Sequence, residues 1–518
     1  MPPKILFHSL VCVVLLLTSV IATSNQNAKA ATITVTTEQD GAVGSVPGCT
    51  LREALESVNL QRLVGGCGNS DGAFGTNDQI RFAANVTTVT LAPENLVSNV
   101  ALQVSRAVTI RGNGSQITSI SGAKTNLILI RNSSNFFQLR SVRLRDAETG
   151  LENMSHARAS LISVRFSGHS RRAILNRGQM SIYGSKIDNN PGGRIANAND
   201  VPVATAVPGT NDPSVDEFPA RLEILLSVIK LNGPTPCAGI FNGGLPITNS
   251  PIFGQASRPA GTLTLRRSRI TDNTAGEFDG GGICNFSDAS ITQSEISRND
   301  AYRGGGLALG WEPQITPIGG PPPALVVPNT TLENSTISTN FATTTGGAIF
   351  INTTGDNLKI SYCTIAYNVA GGSNINDAGG LAHAGGPLTA RFDANALMLN
   401  RTQGRGNPNC TQLTLDGGYN FWPRRPVLSI SVPPPPESEP CVLTGPNNIT
   451  IGTAQLGPLR ANGDTTSSHR PPSNSVMVDR VPVASGFCGR IDQRDRSRPQ
   501  NGNNDKINGC DIGAIELP

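Results

Sequence analysis

The chain has 518 residues, of which 15% are charged and 4% are aromatic, and its formal net charge is +4. A charge balance this close to neutral argues against a general binder of nucleic acids or other polyanions, and so few aromatic residues argue against surfaces on which bases stack. Glycine and proline are frequent, at 56 and 36 residues, but aliphatic residues still suffice for a core. The composition therefore indicates a loop-rich folded protein.

Residues 1–30 have the features of a secretory signal peptide. Lys4 supplies a positive charge, the stretch from Ile5 to Ala22 is largely apolar, and Ala28–Ala30 forms an A-x-A cleavage site. An uncleaved membrane anchor is the alternative, but the polar run from Thr23 to Lys29 leads directly into the cleavage site and favours cleavage. No later run is long and apolar enough to span a bilayer. The sequence therefore predicts a secreted protein, free or associated with the cell surface, with no transmembrane segment after cleavage.

Residues 31–79 form a separate predicted unit that contains the only convincing helix of the mature chain. The run from Thr32 to Thr36 alternates as a strand does, and Leu51, Leu55 and Val58 then fall on one helical face. The repeats that follow indicate a solenoid, whose open end needs cover. We therefore expect this helix to form a small N-terminal cap.

Two short motifs recur between residues 80 and 400, where helical periodicity is almost absent. The I-x-N motif follows a small residue at Ala173, Gly239 and Gly282. Intervals of 26 to 42 residues separate most isoleucines of the second motif, S-x-I-x-x-N, and predict coils of ~20–30 residues, some with insertions. Those isoleucines are Ile187, Ile229, Ile270, Ile296, Ile337 and Ile365.

The sequence around these motifs alternates with period 2, which is typical of short strands with one buried face. We predict an all-β parallel β-helix, in which stacked coils align the isoleucines into a buried ladder and the asparagines into a hydrogen-bonded one. A β-sandwich or propeller of short strands is the alternative, but neither demands a constant offset between isoleucine and asparagine. The predicted ladder residues are Ile270, Asn273, Ile296, Asn299, Ile337, Asn340, Ile365 and Asn368.

Three segments, 196–220, 246–260 and 311–328, interrupt the coil pattern and are rich in proline, alanine and glycine. We expect them to be insertions that project from corners, and to carry any binding function, because loops on rigid scaffolds commonly do. Residues 401–518 depart from the pattern and include a proline tract at 433–436. They are predicted to form an irregular cap region at the other end of the solenoid.

The run from Cys49 to Asn59 resembles the N-terminal signature of bacterial secreted proteins with a CSLREA domain. Thr50 occupies the position of the usual serine and Leu55 that of a frequent isoleucine. The strands predicted at 78–82 and 89–91 follow as they do in that family.

The C-terminal region resembles the region called choice-of-anchor Q, which follows β-helices in many bacterial surface proteins. Asp464 and Asp495 stand where that family commonly has glycine. Together the two resemblances imply a secreted right-handed β-helix protein, and they imply no reaction, because the family has no activity common to all its members. The shared residues are, in order, Leu456-Gly457-Pro458-Leu459, Asn462-Gly463, His469, Asp479, Asp492-Gln493-Arg494, Arg498-Pro499 and Cys510-Asp511-Ile512-Gly513-Ala514-Ile515-Glu516.

The cysteines of an exported protein are expected to form disulfides. Proximity in sequence predicts the pairs Cys49–Cys67, Cys410–Cys441 and Cys488–Cys510, each of which would clip an end segment. Of the three that remain, Cys363 replaces the motif serine and is predicted to be a buried thiol, while a pair between Cys237 and Cys284 stays open. No spacing of cysteine or histidine predicts a metal site, and no cofactor is expected.

Catalysis in a β-helix would need carboxylates that act as acid and base or bind calcium, often with a basic side chain. The best candidates are Asp272, Asp279, Asp288, Asp300 and Arg303, yet the ordinary interpretation of such aspartates is turn formation, and we assign no catalytic residue.

The remaining candidates are interpreted as structural or, for the two histidines, as structural or surface residues. Arg52 and Glu53 are expected to form an intrahelical or capping ion pair, while His156 and His169 stand alone in the sequence. Asp479 and Asp511 belong to the C-terminal signature.

Two functions stay open. The first is a non-catalytic surface protein whose loops bind polysaccharide or a host or cell surface, and the second is a polysaccharide lyase or glycoside hydrolase. Three or more acids on one outward sheet face within a long groove would favour the enzyme. An outward face of threonine, serine and arginine would favour the first.

Overall fold

The computed structural model describes residues 30–91, 99–198, 220–243, 261–310, 328–352, 357–374, 376–384, 388–403, 409–423, 441–452 and 455–518. The predicted signal peptide, nearly all of the three predicted insertions and the proline tract lie outside the described residues. None of the helices within these ranges has the length and apolar character needed to cross a membrane.

Short parallel strands stacked into three long ladders form the body of the protein. Each turn of the chain contributes one strand to each side, and most strands pair with the strand one coil before and one coil after. The first ladder consists of Thr32–Val35, Asp78–Phe82, Val108–Arg111, Phe137–Arg140, Arg158–Ile162, Gln179–Tyr183, Ala220–Leu225, Gly261–Arg266, Asp288–Thr292, Asn329–Glu333, Asn357–Ser361, Leu388–Asp393, Leu413–Asp416 and Val442–Leu443.

The second and third ladders share two long strands, Ser119–Asn132 and Arg143–Asn153, each of which turns the corner between two sides. The second ladder otherwise consists of Thr88–Thr90, Arg165–Ser167, Lys186–Asp188, Val228–Lys230, Arg269–Thr271, Glu295–Ser297, Thr336–Ser338, Thr364–Ala366 and Ala396–Met398. The third consists of Val100–Val104, Arg172–Asn176, Arg194–Asn197, Ile240–Asn242, Ile283–Asn285, Leu307–Leu309, Ile349–Ile351, Leu381–His383 and Cys410–Thr411.

A short fourth ladder occupies one corner and contains Asp300–Ala301, Phe341–Ala342, Val369–Ala370 and Arg401–Thr402. The two antiparallel pairs join Arg460–Ala461 to Ser467–Ser468 and Val481–Pro482 to Gly509–Cys510. A 3-10 turn spans Val483–Ser485. The fold is therefore a parallel β-helix, because the paired strands of its three sides all run in the same direction.

The isoleucines of the S-x-I-x-x-N motif stack in the second ladder. Strand register places Ile270 beside Ile296, Ile296 beside Ile337, and Ile337 beside Ile365, and all four side chains are fully buried. Because a parallel sheet repeats every ~4.8 Å, each isoleucine contacts the one above and the one below, and the column becomes part of a continuous aliphatic core.

The motif asparagines form a second column, in which each side-chain Nδ2 donates to the next Oδ1 at 2.8–3.0 Å. The residue just before each of the six motif asparagines has the left-handed backbone, for example Asp272 and Arg298, which precede Asn273 and Asn299. The asparagine therefore stabilises the corner through its side chain and does not itself turn it. The column contains Asn190, Asn232, Asn273, Asn299, Asn340, Asn368, Asn400 and Asn409.

The only α-helix of the described residues, Leu51–Leu60, covers the first coils. Thr50 and Glu53 form a capping box at its start, and Leu51, Leu55 and Val58 join the aliphatic core. An amphipathic helix with a reciprocal cap is a stable way to close an otherwise open core, and it forms the small N-terminal cap that the sequence predicts.

The end of the chain is arranged differently from our expectation. Coil pairing continues beyond residue 400, since Phe421 bridges both Ala396 and Ile449. Residues 455–518, which we call the C-terminal module, lie along the side of the coils and not across their end. Ser467 N donates to Glu295 at 2.8 Å, and Ala514 N donates to Thr364 Oγ1 at 3.0 Å, both on the outward face of the second ladder.

The described residues contain four disulfides. Three are the pairs expected from sequence proximity, Cys49–Cys67, Cys410–Cys441 and Cys488–Cys510. The fourth joins Cys237 to Cys284, whose Cα atoms lie 5.3 Å apart on neighbouring coils, and this answers the question the sequence left open. Cys363 is a buried free thiol, and burial raises its pKa to about 12.

Candidate functional site

The outward face of the first ladder carries a shallow groove of about 460 Å³. Side chains of these strands alternate between the core and solvent, so every second residue reaches the groove. The residues that face outward are mainly polar and uncharged, and they share the surface with two arginines, one glutamate and the exposed ring of Phe136. Those on the strands are Arg158, Ser160, Gln179, Ser181, Arg221, Glu223, Thr262 and Thr264.

The outward residues of the groove form two columns, and a third column of outward residues beside them is apolar. Register aligns Ile162, Tyr183 and Leu225 on successive first-ladder strands. Tyr183 is 47% exposed, an unusual position for a large aromatic side chain in a chain with so few of them. An exposed ring next to polar groups presents a flat apolar surface with hydrogen-bonding groups beside it.

The same column becomes basic in the preceding coils. Arg81, Arg111 and Arg140 occupy equivalent outward positions on three successive first-ladder strands and are all exposed. We call these three residues the arginine column. Arg81 donates to Gln79. Arg111 and Arg140 make no side-chain hydrogen bond or ion pair within the part of the chain that the structure describes.

Positive charge is concentrated in the coils formed by residues 131–197, although the chain as a whole is nearly neutral. Residues 131–197 contain eleven arginines or lysines and four aspartates or glutamates, an excess of seven positive charges. The sequence shows the same residues as scattered, because positions about twenty residues apart become neighbours only when coils stack. The near-neutral net charge of the chain therefore conceals a locally basic region in these coils.

The aspartates singled out by the sequence are not brought into one cluster with free carboxylates. Asp279 forms a bidentate ion pair with Arg303 at 2.8–3.0 Å, and Asp272 forms one with Arg298 at 2.7–3.1 Å. Burial alone would raise the pKa of Asp272, but the hydrogen bonds and charge of Arg298 outweigh it and lower that pKa. These ion pairs link neighbouring coils across the corners.

The other two candidate aspartates lie apart from these pairs. Asp288 starts a first-ladder strand and accepts from Asn329 N at 2.9 Å. Asp300 lies in the fourth ladder, on a different side of the coils, where burial raises its pKa.

The helix residues Arg52 and Glu53 do not pair with each other, contrary to our expectation of an ion pair between them. Arg52 forms a bidentate ion pair with Asp40, while Glu53 accepts from Thr50 N and Gly44 N. Adjacent helical residues point in different directions, so each finds a different partner. Both are occupied in holding the N-terminal loop to the helix.

The acidic residues of the C-terminal signature form a buried hydrogen-bonded network. Asp492 pairs with Arg494 and also accepts from Glu516 N, and Arg498 pairs with Glu516. Burial raises the pKa of Glu516 to about 7 against the charge of Arg498, which lowers it. Every carboxylate here has backbone donors as well, which is the pattern of a structural network.

His169, one of the two lone histidines of the sequence, is a core residue. His169 is fully buried, its Nε2 lies 3.2 Å from the Leu144 carbonyl oxygen, and burial lowers its pKa to about 4. Across the described ranges, no group of three or more histidine, cysteine, aspartate or glutamate side chains is placed to hold a metal ion.

The sequence analysis predicted neither the groove nor the column beside it, with its apolar part and its arginine part. The available signal was the alternation within each first-ladder strand, which identifies the outward residues of a single strand. Which outward residues become neighbours depends on register, and the intervening insertions hide the register from the sequence.

No protein-family model matches the chain, and no curated protein sequence matches it significantly. Among solved structures it is similar to pectate lyase Pel9A, with 10% identity over 85% of this chain and 88% of that one, at a TM-score of 0.37. It is also similar to the A-module of the mannuronan C-5 epimerase AlgE6 from Azotobacter vinelandii, with 11% identity over 72% of this chain and 91% of that one, at a TM-score of 0.35. At this level neither structure carries an argument about the function of this chain.

Proposed function

We propose that this protein is an extracellular β-helix that binds an extended polysaccharide along the outward face of its first ladder, without cleaving it. Four disulfides and the signal peptide expected at residues 1–30 support export. The CSLREA-like and choice-of-anchor Q-like resemblances of the two end regions belong to the same proposal.

The observation that carries the proposal is the composition of the groove and of the column beside it. Serine, threonine and glutamine side chains can exchange hydrogen bonds with sugar hydroxyls, and Tyr183 can pack against the apolar face of a sugar ring. The groove crosses several coils along the solenoid axis, so its extent suits a chain better than a compact ligand.

A groove rich in serine, threonine and arginine is the pattern that favours binding over cleavage. Asp272 and Asp279, two of the acidic candidates from the sequence, are held in bidentate ion pairs with arginine. In the proposal these groups stabilise the scaffold, and the groove presents neutral hydrogen-bonding groups to the ligand.

A carbohydrate-active enzyme remains the second candidate, and Glu223 is the observation that favours it. Its exposed carboxylate lines the groove together with Arg158 and Arg221, so an acid or base and two cations face the same ligand.

Binding is tested with Tyr183→Ala in the secreted protein against a panel of plant and bacterial polysaccharides. We expect affinity to fall at least about fivefold, the effect of roughly 1 kcal/mol, because the stacking surface is lost. Tyr302→Ala is the matched control, since Tyr302 is 42% exposed and lies outside the first ladder. Equal affinity of Tyr183→Ala and wild type for every ligand of the panel would contradict the proposal.

Catalysis is tested in the same panel by measuring released products. The binding proposal expects none from the wild type. Product release that disappears in Glu223→Gln, and persists in the control Glu333→Gln on the same ladder outside the groove, would establish the enzyme instead. Export is tested by sequencing the amino terminus of the secreted protein, which we expect to begin at Ala31.

A further inference from the structure

The arginine column is a feature that the fold does not need. Arg81, Arg111 and Arg140 stand in register on successive strands about 4.8 Å apart, and like charges placed directly opposite each other destabilise a sheet. Their outward neighbours on the same strands are Gln79, Thr109 and Gln138, none of which is acidic.

The positive charge continues diagonally into the groove. The first-ladder strands from Asp78 to Leu225 carry one outward carboxylate, Glu223, against five outward arginines. Arg158 and Arg221 lie near the start of their strands, whereas the residues of the arginine column lie near the end of theirs. The positive side chains therefore follow a diagonal line across the face. The outward arginines are Arg81, Arg111, Arg140, Arg158 and Arg221.

We propose that the ligand is an acidic polysaccharide whose repeating carboxylate or sulfate groups bind the arginine column while its neutral portions lie in the groove. This inference rests on the proposed function and names its ligand class. A guanidinium has two parallel N–H donors that match a carboxylate or sulfate. The arginine column presents three such donor pairs in a row along the solenoid axis. Binding anions would also relieve the repulsion within the column.

The chemistry of the face favours an acidic sugar chain over a nucleic acid. Single-stranded nucleic acids bind through aromatic side chains that stack successive bases, whereas the two exposed rings on the described part of this face, Phe136 and Tyr183, lie on different coils and at opposite ends of their strands. The polar groove suits hydroxyl-rich rings, and the arginines suit their acidic substituents.

The test compares wild type with the double variant R111Q/R140Q on polygalacturonate, alginate and hyaluronan, each beside its carboxyl-reduced form. We expect wild type to prefer the acidic form, and the double variant to bind it at least about tenfold more weakly with a smaller dependence on salt. Lys359→Gln is the matched control, because Lys359 is an exposed cation with an outward position on a distant coil of the same ladder. Its affinity should equal that of wild type.

The outcomes separate this inference from the proposed function. If acidic and carboxyl-reduced polymers bind equally and R111Q/R140Q changes nothing, the acidic ligand class is wrong while polysaccharide binding stands. If no polymer of either kind binds, the proposed function fails. Preferential, arginine-dependent binding of a single-stranded oligonucleotide would overturn the ligand class. Both arginines are exposed and lack partners in the described ranges, so the melting temperature of the variant should equal or exceed that of wild type.

Discussion

A single carboxylate, that of Glu53, connects the helix of the N-terminal cap to the loop in front of it. Its two oxygens accept from Gly44 N at 2.8 Å and from Thr50 N at 3.1 Å, and the side chain is fully buried. Glycine at position 65 also leaves room for it, since a Cβ there would clash with the carboxylate. The residue that the sequence presents as half of a charged pair is therefore a structural acceptor.

We predict that Glu53→Gln lowers the free energy of unfolding by about 1–3 kcal/mol, because the amide nitrogen that replaces one carboxylate oxygen would face a backbone N–H donor. Chemical denaturation measures the change, and Glu56→Gln on the same helix is the control, with an expected effect within about 0.5 kcal/mol. Ligand binding by the folded fraction should be unchanged. A folded Glu53→Gln protein that loses an enzymatic activity would contradict the structural role.

At the scale of the strand, stability depends on two columns that run through many coils. Ile296 is fully buried between Ile270 and Ile337, and three residues later Asn299 donates to and accepts from its neighbours at 2.9–3.0 Å. Because every coil repeats both contacts, a defect in one strand affects the coils on either side.

We predict that Ile296→Asp destabilises the protein by several kcal/mol, since it places an unpaired charge in the aliphatic column. Ser290→Asp is the control, because Ser290 faces outward on the first ladder in the same coil. Thermal unfolding should show a large loss for the first variant and little change for the second. An Ile296→Asp protein with the melting temperature of wild type would contradict the assigned register.

The sequence predicts these columns because they repeat a fixed local offset, isoleucine followed three residues later by asparagine. It does not predict the groove, because outward residues such as Gln179 and Thr262 obey no local rule and meet only through stacking. The residues with left-handed backbone at the corners, for example Asp272, could not be predicted from the sequence for a different reason. Their side chains vary, since the neighbouring asparagine stabilises the turn.

At the scale of the whole molecule, one buried histidine joins the C-terminal module to the coils. His469 Nδ1 lies 2.7 Å from the Gly457 carbonyl oxygen, so Nδ1 carries the proton and Nε2 accepts from Ser338 Oγ at 2.8 Å. Burial lowers the pKa of His469, against the nearby charge of Glu295. The folded protein therefore holds the neutral imidazole.

We predict that acid weakens this junction. The unfolded histidine gains a proton near pH 6.5 and the folded one only at lower pH, so its stabilising contribution is complete above pH 6.5 and is lost as the pH falls below that value. Between pH 7.5 and pH 5 the melting temperature should fall more in wild type than in His469→Gln. His169 also destabilises the protein as the pH falls, and Glu516 stabilises it. Both contributions are the same in the two proteins, so they cancel in the comparison. Parallel profiles would contradict the prediction.

The placement of the C-terminal module explains a change in character along the second ladder. Where the module is absent, the outward residues are charged, as at Arg143, Arg165 and Lys186. Beneath the module they are buried, polar at Glu295, Thr336 and Ser338 and apolar in the later coils, as at Ala396 and Met398. The module therefore covers a side of the solenoid that becomes apolar towards the last coils.

We predict that deleting residues 455–518 produces a protein that aggregates or binds a hydrophobic dye, because Ala366, Ala396 and Met398 lose the cover of Met477 and Ile512. Size-exclusion chromatography and dye fluorescence measure this. Gln493→Ala is the graded control. It removes the hydrogen bond from Thr336 Oγ1 at 2.6 Å and those to Thr466 Oγ1 and Ser467 O at 3.0 Å but keeps the apolar contacts, so it should lower stability by about 1–3 kcal/mol and leave the protein monomeric. A monomeric deletion protein with an unchanged melting temperature would show that the module contributes nothing to the stability of the coils it covers.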